Sequence, residues 1–196
     1  MGSSEGSRPA GPVSPSTAAG TRLRNVARAL IVRHNNILMV CKRTSGGAGM
    51  RYGLPGGGQR PGESLEQTVV RECHEEIGAV IDVGALLHVA EFDRPAARGG
   101  GCPRHQVEFV FRCRVAEDYL TRNGERPDKR QAGVEWIGLQ QVDRLDVRPD
   151  GMAALIRRMA IGQVPVYAGR VVAESAFGSA TAAAVVDERD PARWWP

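Results

Sequence analysis

The sequence predicts an α/β fold in which helices cover both faces of a mixed β-sheet, that is, an α/β/α sandwich. Apolar runs with strand character occur before and after one amphipathic helix, which indicates a sheet built from both parts of the chain. A second amphipathic helix follows near the end of this region, and residues 23–162 are of ordinary single-domain size. One helix is therefore available for each face of the sheet.

The first two strands are predicted at residues 26–33 and 37–43, which are apolar runs separated by Asn35 and Asn36. Asparagine accepts the left-handed backbone geometry of a tight turn, so the two runs are expected to form a β-hairpin. A polar, glycine-rich segment at residues 44–51 follows and is expected to be a loop.

A second glycine-rich loop leads into an amphipathic helix at residues 64–77, with Ser64 suited to its N-cap. Its apolar positions recur at helical spacing and are expected to face a core: Leu65, Val69, Val70, Cys73 and Ile77. Glu72, Glu75 and Glu76 crowd another face, where like charges repel one another. The cluster therefore needs compensating cations, and its oxygen ligands suit Mg²⁺ or Mn²⁺.

The elements expected after this helix are three strands and two helices. The strands are predicted at residues 80–92, 106–115 and 134–138, and the helices at residues 139–145 and 151–161. The last helix carries an apolar stripe of Met152, Leu155, Ile156 and Met159, which is more typical of a core than of a binding surface. An additional strand is one alternative for residues 164–172.

Residues 57–79 resemble the Nudix box, written G-x5-E-x7-R-E-U-x-E-E-x-G-U with U a bulky apolar residue. Every fixed position is matched, by Gly57, Glu63, Arg71, Glu72, Glu75, Glu76 and Gly78. Two of the U positions hold the smaller residues Cys73 and Ala79. A match at this many spaced positions is specific, and it implies a Nudix-type α/β/α sandwich over residues 23–162.

The resemblance also implies a metal-dependent hydrolase that cleaves a diphosphate linkage by attack of water at phosphorus. Mg²⁺ or Mn²⁺ would then be held by Glu72, Glu76, Glu75 and the carbonyl of Gly57. Arg71 would orient the carboxylates through an ion pair with Glu63. The candidate catalytic residues are accordingly Glu75, Glu72, Arg71 and Glu63.

The sequence does not decide which residue is the general base or which residues bind the substrate. Some family members use a glutamate of the box and others a downstream one, so Glu108 and Glu135 are further candidates, although each could be a surface charge. The resemblance assigns substrate reading to the loops at residues 93–105 and 117–133 and to strand residues facing the cleft. The candidate substrate-binding residues are Tyr52, Arg94 and Arg104.

Several functional classes are compatible with these residues. The leading hypothesis is hydrolysis of a nucleoside diphosphate derivative or a nucleoside triphosphate. A prenyl or specialised-metabolite diphosphate is an alternative substrate, because nothing in the sequence identifies a pocket that stacks a base. A noncatalytic nucleotide sensor is a third class, and an isomerase is a fourth that would need a cysteine and glutamate pair for proton transfer.

The amino-acid composition limits which ligands the protein is expected to bind and in which cellular compartment it is expected to occur. The formal net charge is +4 and 42% of residues are hydrophobic, but the arginines are scattered without a basic run, which favours a small anionic diphosphate over nucleic acid. No apolar span is long enough for a membrane helix. Four cysteines without CxxC spacing are expected to be reduced and mostly buried, as in a cytoplasmic protein. The resemblance allows a homodimer.

The two ends of the chain differ in composition from the central region. Residues 1–22 are rich in Gly, Ser, Pro and Ala and are expected to be a disordered leader. Residues 163–196 are expected to be an extension of uncertain structure that ends with Trp194 and Trp195. The two tryptophans could anchor the tail on a protein surface or belong to a free tail.

Overall fold

The computed structural model describes residues 22–94 and 104–171 of the chain. Within these ranges the elements in chain order are β1 (Arg22–Leu30), β2 (Val32–Arg33), β3 (Asn36–Arg43), β4 (Met50–Gly53), β5 (Gly56–Gly58), α1 (Leu65–Ile77), β6 (Ile81–Arg94), β7 (Arg104–Val115), β8 (Gln131–Gly138), a 3₁₀ helix (Leu139–Arg144), α2 (Met152–Ala160) and β9 (Tyr167–Arg170). Most of the predicted leader and the segment carrying Trp194 and Trp195 lie outside the described residues.

Two sheets form the middle of the fold. The larger one has the order β5-β1-β7-β6-β9 and is mixed, because β1 with β7 and β6 with β9 are parallel whereas the other pairs are antiparallel. The smaller one is antiparallel and joins β2, β4 and β8 to the central β3. The predicted mixed sheet is thus confirmed, and a second sheet is added to it.

The predicted strand at residues 26–33 is divided between these sheets. Residues up to Leu30 pair in the larger sheet, and Val32 and Arg33 pair with β3 in the smaller one. The hairpin turn consists of His34 and Asn35, with φ of 48° and 60°, so the prediction of a turn at Asn35 and Asn36 was wrong by one residue. Two left-handed central residues are what a two-residue hairpin with the normal strand twist requires.

The helices cover opposite faces of the sheets, which confirms the α/β/α sandwich. Under α1 lies a buried cluster of Ala27, Ala29, Ile31, Leu38, Val40, Val69, Cys73, Ile77, Ala79, Ile81, Phe111, Cys113 and Val134. Under α2 and the 3₁₀ helix lies a second cluster of Leu30, Ile37, Met39, Leu54, Ala90, Phe92, Val110, Val142, Val147, Met152, Leu155, Ile156 and Met159. None of the helices in the described ranges is both long and apolar enough to cross a membrane.

The helix α1 begins and ends with the capping groups that the sequence indicates. The Ser64 side chain accepts a hydrogen bond from the Gln67 N–H, and the Gln67 side chain accepts one from the Ser64 N–H. Gly78 ends the helix in the left-handed region, with φ of 60°. The prediction that Val70 faces the core was wrong, because Val70 is 40% exposed. Glu76, in contrast, is buried on the side that faces the glycine loop.

The segment between β7 and β8 docks on the C-terminal end of α1. The N–H groups of Gly124 and Arg126 donate to the carbonyls of Glu76 and Glu75 at 2.9 and 3.0 Å. The Gln131 side chain donates to the carbonyl of Glu76 at 2.6 Å. These bonds satisfy helix carbonyls that have no partner within the helix. Part of the segment that the resemblance assigns to substrate binding therefore holds α1 in place.

The strand β9 confirms the alternative in which residues 164–172 form an additional strand. It lies parallel to β6, and the Val171 N–H donates to the Glu91 carbonyl at 2.8 Å. The Tyr167 hydroxyl donates to Glu91, and the Arg170 guanidinium donates to Asp93. The beginning of the C-terminal extension is therefore part of the larger sheet.

Replacing Leu155 by alanine is expected to lower the free energy of unfolding by about 2 to 5 kcal/mol, because it leaves a cavity in a close-packed core. Leu155 lies on the inner face of α2 and its side chain is completely buried. Urea denaturation would measure the change. Leu120→Ala is the matched control, since Leu120 is 81% exposed and its truncation should change stability by no more than about 0.5 kcal/mol. Equal effects of the two substitutions would contradict the assigned core.

Candidate active site

A tight glycine loop forms one wall of the site. Gly56 has a φ of 129°, and a Cβ there would overlap the Ala27 carbonyl oxygen and lie 2.9 Å from the Arg28 Cα. Only glycine fits this geometry, so β5 lies directly against β1. The Gly56 N–H then points at the helix and donates to Oε2 of Glu76 at 2.9 Å.

Glu76 is the most deeply placed carboxylate of the site, at 4% exposure. In addition to the Gly56 N–H, it receives a hydrogen bond from Lys42 Nζ to Oε1 at 3.2 Å. Burial raises the pKa of Glu76, although Lys42, the Gly56 N–H and Arg28 oppose that shift. Lys42 also forms an ion pair with Asp128. A buried carboxylate of this kind gains from any further cation brought beside it.

Arg71 connects the loop with the helix. Its guanidinium forms a two-point ion pair with Glu63, from Nε to Oε1 at 2.6 Å and from Nη2 to Oε2 at 2.9 Å. Nη1 donates to Glu72 at 2.7 Å, and Nη2 also donates to the Gly58 carbonyl at 3.1 Å. The hydrogen bonds from Arg71 lower the pKa of Glu63 to about 2. The ion pair that the resemblance implies is therefore present.

Glu72 and Glu75 complete the set. The Glu72 carboxylate lies against Gly57 so closely that a Cβ on Gly57 would be 2.5 to 2.6 Å from its atoms. Glu75 pairs with Arg60 at 3.3 Å and with Arg71 at 3.5 Å. We call the whole arrangement the box site: the carboxylates Glu63, Glu72, Glu75 and Glu76, with the cations Lys42, Arg60 and Arg71.

The donor set of the box site fits a hard divalent cation. Its side-chain donors are carboxylate oxygens, and Gly57 places no side chain between its backbone and Glu72. Within the described ranges no three His, Cys, Asp or Glu side chains are gathered around a common point. Intramolecular cations lie against the carboxylates instead, Lys42 at Glu76 and Arg71 at Glu72.

The two downstream glutamates have different surroundings. Glu108 is completely buried and pairs with Arg28, so the interpretation of Glu108 as a surface charge was wrong. Glu135 is exposed on β8, opposite Met39 in the strand pairing. Burial, with a smaller contribution from Glu135, raises the pKa of the Cys41 thiol to about 12, so this thiol stays protonated near neutral pH.

The predicted substrate-binding residues lie on strands: Tyr52 on β4, Arg94 on β6 and Arg104 on β7. Tyr52 is half-buried against the second core cluster and pairs with Cys41 across β4 and β3. Arg94 and Arg104 face each other at the end of the β6–β7 ladder, and their side chains lie outside what the structure describes. Lys42 and Arg28 were missed by the sequence analysis. The only signal for Arg28 is a charge in the middle of an apolar strand.

The fold and the site together define a class of protein: an α/β/α domain in which a glycine loop and a capped helix present clustered carboxylates. The family model described as the NUDIX domain matches residues 22–159. The chain therefore belongs to the Nudix family, and it is a Nudix hydrolase.

The chain is also similar to two characterised relatives and to a solved structure. The chain is 28% identical over 123 residues to a nucleoside triphosphatase, NudI, of Enterobacter sp. (strain 638), covering 60% of this chain and 84% of that protein. It is 34% identical over 82 residues to an ADP-ribose pyrophosphatase of Methanocaldococcus jannaschii, covering 42% of this chain and 45% of that protein. A NUDIX hydrolase structure from Nitrosomonas europaea matches with a TM-score of 0.54 at 19% identity, covering 74% and 94% of the two chains, which shows the fold alone.

Proposed function

We propose that this chain is a divalent-metal-dependent pyrophosphohydrolase that cleaves the diphosphate linkage of a nucleoside diphosphate derivative or a nucleoside triphosphate by attack of water at phosphorus. The observation that supports it best is the burial of Glu76 against the Gly56 N–H, next to Glu72 on the same helix. We assign the activity to residues 23–162, because the buried members of both core clusters fall within that range.

The residues proposed to hold Mg²⁺ or Mn²⁺ are Glu72, Glu75, Glu76 and the carbonyl of Gly57. When bound, the metal would supply Lewis acidity toward the phosphoryl oxygens and lower the pKa of a bound water. We propose that Glu75 shares metal-ligand and general-base duties; its carboxylate pairs with Arg60 and Arg71 and its side chain is 18% exposed. Arg71 positions Glu72 while Glu63 fixes the Arg71 fork.

The activities for which the two relatives are named support a nucleotide substrate. One is named for nucleoside triphosphates and the other for ADP-ribose, and both compounds contain a diphosphate linkage. We propose the cytoplasm as the compartment, since Cys41, Cys73 and Cys113 are free and buried. A prenyl diphosphate remains the alternative substrate class, and the homodimer stays a prediction.

The test is the release of phosphate products from a panel of nucleoside triphosphates, nucleotide sugars, dinucleotides, ADP-ribose and prenyl diphosphates, with Mg²⁺ or Mn²⁺ and with a chelator. We expect turnover of one nucleotide class that chelation abolishes. Turnover of prenyl diphosphates alone would replace the nucleotide assignment. Tight nucleotide binding without turnover under any metal condition would instead identify a noncatalytic sensor.

A further inference from the structure

We propose that Arg28 and Glu108 are a positioning pair beneath the box site, in which the Arg28 guanidinium holds the glycine loop in the geometry that Glu76 and Glu72 require. The inference deepens the proposed function and rests on it. Neither residue belongs to residues 57–79, and both reach the site only through the pairing of β1 with β5 and β7.

The Arg28 side chain holds the loop at two carbonyl groups. Nη1 donates to the carbonyl of Leu54 at 3.2 Å and also to the carbonyl of Gly56. The residue between them is held by the backbone of the same strand, since the Ala29 N–H donates to the Pro55 carbonyl at 2.9 Å. Three consecutive carbonyls of the loop are therefore bonded to β1, two of them through one side chain.

Glu108 fixes the guanidinium from the other side. Its Oε1 accepts from Arg28 Nη2 at 3.3 Å and from the Gln106 side chain. Glu108 is completely buried, and its second oxygen has no hydrogen-bond partner among the residues that the structure describes. A buried ion pair with an unsatisfied oxygen is a poor way to stabilise a core, because apolar residues of similar volume often do so better. We take this as an indication that the pair serves the geometry of the loop.

The connection to the box site passes through Gly56. Its carbonyl is held by Arg28, and its N–H donates to Oε2 of Glu76 at 2.9 Å. Gly57, the next residue, lies against the Glu72 carboxylate. A shift of the loop would therefore move the donor of one carboxylate and the support of the other. Arg28 acts through the loop and has no assigned contact with substrate, so its role is positioning.

Arginine suits this role better than lysine. A planar guanidinium with fixed donors can bond the two loop carbonyls and Glu108 simultaneously, whereas an ammonium is a compact charge on a flexible stem. The substitution Arg28→Lys therefore keeps the positive charge near Glu76 while it removes the fixed fork. Glu108→Gln keeps the shape of the partner and removes its charge. The two substitutions perturb the pair from opposite ends.

The experiment measures the Mn²⁺ affinity of the full chain from the electron paramagnetic resonance signal of unbound Mn²⁺. It also measures kcat and KM on the substrate that the product-release assay identifies. We expect Arg28→Lys and Glu108→Gln each to weaken Mn²⁺ affinity or lower kcat about 10- to 100-fold, with KM changed less than about threefold. Arg51→Lys is the matched control, because Arg51 pairs with Asp146 at the surface and should match the unsubstituted protein.

Thermal unfolding of each variant separates positioning from a purely structural role. Folded variants with unchanged Mn²⁺ affinity and kcat would overturn the inference, whatever their melting temperatures. If Arg28→Lys does not fold, Glu108→Gln decides the question alone. A failure of the unsubstituted protein to bind Mn²⁺ would overturn the proposed function, and the inference with it. Normal binding by that protein and by both variants would overturn the inference only.

Discussion

Replacing Glu76 by glutamine is expected to lower kcat at least about 100-fold at saturating Mg²⁺, which exceeds the usual effect of changing a residue that merely supports a metal ligand. Glutamine keeps the shape of the side chain and can still accept the hydrogen bond from the Gly56 N–H. It removes the negative charge that Lys42 now compensates and that a metal ion would require. The loss of activity would therefore report on charge and ligation, with little change in fold.

The matched control for this substitution is Glu135→Gln. Glu135 is exposed on β8, outside the box site, and its replacement is expected to lower kcat less than Glu76→Gln does. Steady-state kinetics at several Mg²⁺ concentrations would distinguish weaker metal binding from a slower chemical step. Turnover of Glu76→Gln close to that of the unsubstituted protein would contradict the assignment of Glu76 as a metal ligand.

Replacing Gly56 by alanine is expected to have the second-largest effect, on folding and on activity together. The φ of 129° is open to glycine alone, and the added Cβ would overlap the Ala27 carbonyl oxygen. The strand β5 would have to move away from β1, which breaks the bond from Arg28 and displaces the donor to Glu76. We expect a loss of at least about 2 kcal/mol in the free energy of unfolding.

Gly133→Ala is the control, since a Cβ on Gly133 would meet no atom within 4 Å. Its stability should change by no more than about 0.5 kcal/mol. Chemical denaturation gives the stabilities, and kcat of the folded fraction gives the effect on the site. A Gly56→Ala protein with normal stability and normal kcat would show that the loop does not need its tight contact with β1.

Short-range sequence patterns were sufficient to predict most helices and strands of the fold. The helix α1 carries its own cap residues at both ends, and its apolar positions repeat at helical spacing, so its bounds followed from the sequence. The division into two sheets did not follow, because alternation reports which residues share a face and does not report which strand pairs with which. The same limit explains the split of the first predicted strand after Leu30.

Some residues of the site could be predicted from the sequence and others could not. The box carboxylates lie within one short segment, so their residue types and spacing were visible in the sequence. Arg28, Lys42 and Glu108 come from strands distant in sequence and reach the box only through strand pairing. Glu108 was open to interpretation as a solvent-facing position of an alternating strand because nothing in that strand reveals the arginine opposite it.

The central claim is metal-dependent attack of water at phosphorus. Its most direct test is hydrolysis, in water enriched in ¹⁸O, of the nucleotide that the product-release assay identifies, followed by mass spectrometry of the phosphate products. Attack of water at phosphorus predicts one ¹⁸O atom in a phosphate product for each turnover, in the presence of Mg²⁺ or Mn²⁺ and not after chelation. Undiminished turnover after chelation would contradict the metal-dependent mechanism. Products without ¹⁸O on phosphorus would contradict hydrolysis at that atom.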